Sequence, residues 1–435
     1  MPLVDLSLAV LLLACAAWVL ARRRGPGWMH FIFAAAIPAT LIMQLLWIGP
    51  HWQMLPAYLG CVLLLSILVA GRAPRLLAAA SVLLALATIG FLWVLPLFTL
   101  PPPTGVYAVG TTGPIQWTDP TRNRELAVQV WYPAPAGWHY GRRARYTRLK
   151  ELKPLFTYEA NIRTNALLAA PLADASLPVL IFGHRWGASR TQDTFLAEDL
   201  ASHGFVVVAA DHPGNSARML RADGSVVRST SPAAFNDLEA STLSAIEAVW
   251  AQEIAVWVAD DQFLLDKLQQ ENAGWFAGHL DLTRVGAFGH SFGGAVAVAL
   301  LGQDVRVKAA VNLDGWTLNA IDRRTTQPVL FVYAGGVHPL HPGPGVEGQL
   351  ERADDAVVEA SIARFGGLRA YVEGAQHLDF TDQTLVSPLR RLTYAGSIPG
   401  PRVREITRGL VLGFFDQSLC GHGTLPQYPE VKLIR

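Results

Sequence analysis

Four apolar stretches fill the first hundred residues and constrain everything that follows. They run over about Leu6–Ala21, Phe31–Ile48, Leu55–Ala70 and Leu76–Leu100. A helix crossing a bilayer core needs roughly 20 apolar residues, with a range of about 17–25. The second and fourth stretches meet that length, and the first and third reach it with their neutral flanks. Surface helices of soluble proteins keep a polar face, and none of these stretches has one. The only acid here is Asp5, and the only basic residues are Arg22, Arg23, Arg24, Arg72 and Arg75. A cleaved signal peptide carries its basic residues before the apolar run. Here Asp5 precedes the run and Arg22–Arg24 follow it, so the first stretch reads as a retained helix.

Basic residues at helix ends favour the cytoplasmic side of a membrane. Arg22–Arg24 follow the first stretch, and Arg72 and Arg75 lie between the third and fourth. The intervening loop, Gly49–Met54, has no Arg or Lys. This pattern predicts an N-terminus outside the cell and an extracytoplasmic chain after the fourth helix. The polar residues within the spans are few, Gln44, Ser66, Ser81 and Thr88 among them. Transporters and proton relays place ionisable groups there, so the section reads as an anchor packed through small residues.

Pro101–Pro103 are expected to end the fourth helix and form a stiff spacer. The organisation that follows is a four-helix transmembrane region over residues 1–100, a Pro-rich linker over 101–104 and a folded domain over 105–435. Only 16% of the 435 residues are charged, against roughly 25% for an ordinary soluble domain. The deficit belongs to the first hundred residues, since the remainder holds 30 basic and 33 acidic residues. That near balance excludes a nucleic-acid binder relying on a strongly basic field. Three cysteines, Cys15, Cys61 and Cys420, exclude a disulfide-rich scaffold, and no pair has metal-ligand spacing.

Beyond residue 105, strand-length apolar runs alternate with helical patterns. Strands are expected at Gly105–Gly110, Glu125–Tyr132, Pro178–Gly183, Phe205–Ala210, Arg284–Gly289, Val307–Leu313, Pro328–Ala334 and Leu368–Glu373. Helices are expected at about Thr191–Ser202, Pro232–Gln270, Gly293–Leu301, Asp354–Arg364 and Pro401–Ser418. Several of the strands are continuous Val/Ile/Leu runs, as buried parallel strands are. The alternation predicts an α/β fold with a largely parallel sheet. Gly137–Ser176 has little clear period and reads as a surface excursion or partial lid.

The strongest chemical signal is Gly289-His290-Ser291-Phe292-Gly293-Gly294. A strand pattern precedes it and a small-residue helical run follows. That is the context in which a G-x-S-x-G serine projects from a tight strand-to-helix turn. A serine needs a base, and the base an orienting acid, in the chain order Ser, acid, His. Four histidines follow Ser291: His338, His341, His377 and His422. His377 follows a strand directly, where catalytic groups gather in an open α/β sheet. His338 and His341 lie in a Pro/Gly-rich loop, and His422 in the tail. Asp314, closing Val307–Leu313, is the preferred acid, because Gly335–Gly345 contains no Asp or Glu and Glu347 is the first acid reached. Asp379 and Asp382 are rivals close to His377 in sequence. Backbone N–H groups of Phe292 and of Trp186, in the loop after Pro178–Gly183, are the candidate oxyanion donors. His184 and His212 also end strands and read as structural or pocket-lining.

Taken together, these residues resemble the platelet-activating factor acetylhydrolase family in its plasma and type II intracellular form. The resemblance rests on Leu180–His184 leading into Gly187–Thr191, on Asp199-Leu200-Ala201-Ser202-His203-Gly204-Phe205, and on Asp211-His212. It continues through Gly289–Gly294, Asn312–Trp316 and His377-Leu378-Asp379-Phe380-Thr381-Asp382. It covers roughly residues 105–420. It implies an α/β-hydrolase fold, with Ser291 as nucleophile, Asp314 as acid, His377 as base, and Trp186 and Phe292 as oxyanion donors. It also implies calcium-independent hydrolysis of short or oxidised sn-2 acyl chains of phospholipids. Arg185 stands where the family commonly has glycine, and the four N-terminal helices lie outside the family's soluble pattern.

The resulting expectation is a membrane-tethered, extracytoplasmic serine ester hydrolase that uses no metal or organic cofactor. Its partners would be a small-molecule or lipid ester and the membrane, not nucleic acid. The alternatives are a general carboxylesterase, a dienelactone-hydrolase-like enzyme or a polyester hydrolase, then an acyltransferase, then a non-catalytic membrane protein.

Overall fold

A computed structural model describes residues 2–21, 27–70, 75–230, 241–318, 327–335, 345–365 and 367–434. Arg22–Arg24, Arg72, His338 and His341 fall outside them. The chain divides into two compact units. One comprises Met1–Thr99, Arg145–Ile162 and Leu385–Leu389, and the other holds the rest.

In the first unit, four helices among the described residues are long and apolar enough to cross a membrane. They are α1 (Leu3–Ala21), α2 (Trp28–Trp47), α3 (Leu55–Ala70) together with the 3-10 turn Trp52–Met54 that leads into it, and α4 (Arg75–Val94). Leu8, Leu12, Ala57, Leu64, Ala78 and Ala85 are fully buried among them, yet Leu46, Val69 and Leu76 are each more than four-fifths exposed. Apolar side chains thus point both inward and outward, as in a bundle whose solvent is lipid. Helix α4 stops at Val94, not near Leu100 as its composition suggested. Pro96 lacks an N–H and disfavours the helical region at Leu95, so the helix ends before Pro101–Pro103 is reached.

Polar groups clasp one end of this bundle. The Asp5 carboxylate lies 3.3 Å from His51 Nε2, with both side chains fully buried. His51 Nδ1 donates to Gln53 Oε1 at 2.8 Å, and Gln53 Nε2 donates to the Leu95 carbonyl at 2.9 Å. The start of α1, the α2–α3 turn and the end of α4 therefore meet. Asp5 sits inside the first turn of α1, whereas the sequence placed it ahead of the apolar run. The same turn holds the 145–162 segment: Trp52 Nε1 donates to the Leu155 carbonyl at 2.9 Å and Asn161 Nδ2 to the Pro50 carbonyl at 3.1 Å.

In the second unit, a twelve-stranded sheet has the order β14-β13-β12-β11-β10-β6-β7-β3-β1-β5-β4, with β2 paired to β3. Its strands are β1 (Ala108–Thr111), β2 (Ile115–Asp119), β3 (Arg124–Ala134), β4 (Arg143–Arg145), β5 (Arg163–Leu168), β6 (Leu177–Gly183), β7 (Val206–Asp211), β10 (Leu280–His290), β11 (Val307–Leu313), β12 (Val329–Ala334), β13 (Leu368–Val372) and β14 (Val431–Ile434). The short hairpin of β8 (Arg218–Leu220) and β9 (Val226–Arg228) stands apart. The run from β7 through β6, β10, β11 and β12 to β13 is parallel, while β3 and β14 join antiparallel. Strands β6, β7 and β12 are buried along their whole length, which matches their unbroken apolar sequences. The flanking helices are α5 (Thr194–Ser202), α6 (Leu243–Asn272), α7 (Phe292–Gln303), α8 (Gly345–Phe365) and α9 (Gly400–Leu419).

The excursion expected over Gly137–Ser176 is only partly one. Its second half supplies β5, which pairs parallel with β1. Thr164 and Asn165 interrupt the apolar alternation there and hid the strand. The Pro232–Gln270 helix begins at Leu243 among the described residues, and 231–240 lie outside them.

Candidate active site

The C-terminal ends of the parallel strands carry the candidate residues. Ser291 follows β10 directly and holds φ +58°, ψ −124° as N-cap of α7. A non-glycine residue held there is strained, and such strain concentrates at functional sites. Five glycines permit the turn. A Cβ at Gly293 would fall on the Gly183 carbonyl, one at Gly289 on the Gly293 backbone, and one at Gly315 on the Ser291 carbonyl. A Cβ at Gly294 would strike Asn312 Oδ1, and one at Gly183 would press the Gly293 backbone. The α7 helix thus packs by backbone contact onto β6 and β10, which leaves the half-buried Ser291 at its mouth.

Asp314 ends β11, also at positive φ (+59°), and is buried. Its Oδ1 accepts from the Ala334 N–H at 2.6 Å, and its Oδ2 accepts from His377 Nδ1 at 2.7 Å. The structure therefore brings Asp314 and His377 together. The partner carboxylate holds the proton on Nδ1 and leaves Nε2 as the available base. His377 opens the turn His377–Phe380 after β13, with its side chain about one-third exposed. Phe292 is the first residue of α7, so its N–H lies in the unpaired first turn of a helix. Trp186 lies in the loop after β6, with its indole edge-on to Phe292 at 5.3 Å. Trp250 also meets Phe292 (4.9 Å) and Trp316 (6.1 Å), so half-buried aromatic rings flank the serine turn.

The rivals take other positions. Asp379 Oδ2 accepts from the N–H groups of Gln376 and Gly396. Asp382 caps α5 by accepting from the Thr194 and Phe195 N–H groups. His422 is exposed after α9. His184 and His212 are fully buried. His184 Nδ1 donates to the Arg185 carbonyl at 2.7 Å, and its Nε2 accepts from Ser216 Oγ at 2.8 Å. His212 Nδ1 pairs with Asp260 Oδ2 at 2.8 Å. Burial lowers the His184 pKa and the neighbouring His212 lowers it further, outweighing the hydrogen bond to the Arg185 carbonyl, so this imidazole is neutral. Burial alone would raise the Asp260 pKa, but hydrogen bonds from His212 and Arg124 outweigh it and bring the net value down.

Sequence reasoning missed three polar residues at the site: Gln192, Asp260 and His290. Asp260 was detectable, because it interrupts the buried face of α6 between Trp257 and Leu264. His290 stands at the variable position of G-x-S-x-G, where the motif admits any residue. Gln192 gave no local signal.

The family model of platelet-activating factor acetylhydrolase, isoform II, matches residues 123–227 and 239–339. The platelet-activating factor acetylhydrolase of Canis lupus familiaris is 27% identical over 212 residues, 41% of this chain and 45% of that protein. A probable 1-alkyl-2-acetylglycerophosphocholine esterase of Arthroderma benhamiae is 23% identical over 281 residues, 59% of this chain and 66% of that protein. The chain thus spans less than half of the dog relative's length. Among solved structures, the ferulic acid esterase from Streptomyces cinnamoneus matches with a TM-score of 0.61 at 26% identity, covering 78% of this chain and 99% of that one. The family model thus covers just under half of this chain, and the fold is that of the α/β hydrolases.

Proposed function

We propose that this chain is a membrane-tethered serine ester hydrolase. The observation that carries the reading is the buried Asp314 carboxylate on His377 Nδ1 at 2.7 Å, beside a serine turn held at positive φ. His377 Nε2 takes the Ser291 proton as Oγ attacks the ester carbonyl. The N–H groups of Trp186 and Phe292 receive the oxyanion. The tetrahedral intermediate collapses to an acyl-enzyme as His377 protonates the leaving alcohol. Water, deprotonated by the same imidazole, releases the acid. Each step needs only these residues and water.

The substrate class we favour is a short acyl ester, including sn-2 acyl groups of phospholipids, in line with the family domain and with the named activities of the relatives. An ester of an aromatic acid is the second reading. The rings of Trp186, Trp250 and Trp316 around Phe292 favour it, as does the ferulic acid esterase likeness. The four apolar helices would anchor the chain, with the hydrolase unit on the extracytoplasmic side.

A fluorophosphonate probe tests the nucleophile. Wild type should label and Ser291→Ala should not, with hydrolysis falling by several orders of magnitude. Equal labelling of both refutes the assignment. Comparing p-nitrophenyl acetate, short-chain phosphatidylcholine and methyl ferulate then separates the two substrate readings.

A further inference from the structure

A continuous line of hydrogen bonds joins the loop after β6 to the turn that carries His377. The Arg185 N–H donates to Gln192 Oε1 at 3.1 Å. Gln192 Nε2 donates to His290 Nδ1 at 2.9 Å. His290 Nε2 donates to the His377 carbonyl at 2.7 Å. Its direction follows from chemistry. An amide N–H only donates, so Gln192 must turn its oxygen to Arg185 and its NH2 to His290. His290 Nδ1 must then be the unprotonated nitrogen, which puts the proton on Nε2, where the His377 carbonyl needs a donor. Flipping the Gln192 amide would set donor against donor at Arg185. The second Gln192 amide hydrogen reaches Asp193 Oδ2 at 3.2 Å, so the side chain is fully engaged. The Gln192 carbonyl also accepts from the Asp382 N–H at 3.0 Å, a second tie to the His377 region.

We propose that Gln192, acting through His290, is a positioning residue that holds the Trp186 amide and the His377 imidazole in one catalytic register. The inference rests on the hydrolase reading of Ser291. Residue 185 is gripped on both sides, with its N–H on Gln192 and its carbonyl on His184 Nδ1. The peptide joining Arg185 to Trp186 is planar and trans, so fixing its carbonyl on His184 aims the Trp186 N–H the opposite way. On the other side, the His377 backbone is held at its carbonyl while Asp314 holds its ring. One half-buried glutamine therefore sets the spacing between oxyanion donor and base. His290 suits the role only while neutral, because a proton on Nδ1 would oppose the Gln192 NH2. Its burial and the neighbouring His377 keep it so.

The test uses the full chain in detergent, with p-nitrophenyl acetate as substrate and phenylboronic acid as a mimic of the tetrahedral state. Active sites are counted by fluorophosphonate titration, so that misfolded protein does not enter the rate. Gln192→Leu should lower kcat per titrated site by roughly 10- to 100-fold, the scale on which a misplaced group costs rate. KM should stay within about threefold, and phenylboronate should weaken by the same factor as kcat/KM. Gln192→Asn, one methylene too short to reach both partners, should lose rate in the same pattern and serves if the leucine variant does not fold. A merely structural glutamine would lower the count of titrated sites and leave kcat per site and phenylboronate affinity at wild-type values. That result overturns the proposal. Full hydrolysis by Ser291→Ala would instead overturn the hydrolase reading beneath it.

Discussion

Asp314 is held from two directions, by the Ala334 N–H on Oδ1 and by His377 Nδ1–H on Oδ2. In Asp314→Asn, one polar atom becomes an NH2 donor. If Oδ1 keeps the Ala334 bond, that NH2 faces His377 Nδ1 and forces the proton onto Nε2, the nitrogen needed as base. The variant should therefore stay folded while kcat on p-nitrophenyl acetate falls by roughly 10³- to 10⁴-fold, as for a triad with the wrong imidazole tautomer. A loss under about tenfold at an unchanged melting temperature would remove Asp314 from the mechanism. The candidate residues were legible because each lies at the end of a strand with a pronounced pattern: Ser291 after β10, Asp314 after β11 and His377 after β13. The residues that hold them were not. Gln192 and His290 are 98 positions apart, and nothing near either one in sequence signals the pair. Only the sheet order, which sets β6 beside β10, brings them together.

At the level of elements, the glycines of Gly289-His290-Ser291-Phe292-Gly293-Gly294 read as room for a turn, but the structure gives them a second task. Gly293 lies so close to β6 that an added methyl would fall on the Gly183 carbonyl, which belongs to backbone and cannot swing aside. Gly293→Ala should therefore separate α7 from the sheet, cost about 1–3 kcal/mol or more, and appear as a melting temperature lowered by several degrees. An unchanged melting temperature would contradict this packing. The acidic motif after His377 was legible as a pattern but not as a cause: Asp382 caps α5, and Asp379 binds the loop at Gly396, so both rivals of Asp314 are occupied in shaping the turn. Helix α5 also carries Glu198, fully buried, whose carboxylate accepts from Asn165 Nδ2 and the Ala166 N–H, both at 2.8 Å. Burial raises its pKa to about 7, against opposing hydrogen bonds. In the unfolded chain the group titrates near 4.3. Between these values the folded state holds the proton and the unfolded state does not, so the contribution of Glu198 to stability falls as pH rises from about 4.5 to 7 and is level above that. Melting temperature should decline over this window in wild type and less steeply in Glu198→Gln. Parallel profiles would show that Glu198 does not titrate on unfolding. The β5 strand that Glu198 braces was the element least visible in sequence, because Thr164 and Asn165 are polar for contacts made across the fold.

For the whole molecule, the apolar stretches announced four spans, but their relative placement came from one polar clasp that no periodicity reveals. Asp5, His51, Gln53 and the Leu95 carbonyl meet at one end of the bundle. The chain start, the α2–α3 turn and the exit from α4 therefore share a side, whichever way the bundle is inserted. Arg75 opens α4 at the opposite end, and in the sequence Arg22–Arg24 follow α1 and Arg72 precedes α4. Basic residues stay on the cytoplasmic side, so the clasped end, and the exit from α4 with it, should face outward. Alkaline phosphatase fused after residue 50 or residue 110 should be active, and fused after residue 25 or residue 73 it should be inactive. A cytoplasmic reporter should give the reverse at each site. The two layers of the argument fail separately. Activity at 25 and 73 but not at 50 and 110 would keep the bundle and invert its orientation. Opposite readings at 50 and 110 would break the clasped end itself, and with it the common side of the α2–α3 turn and the exit from α4.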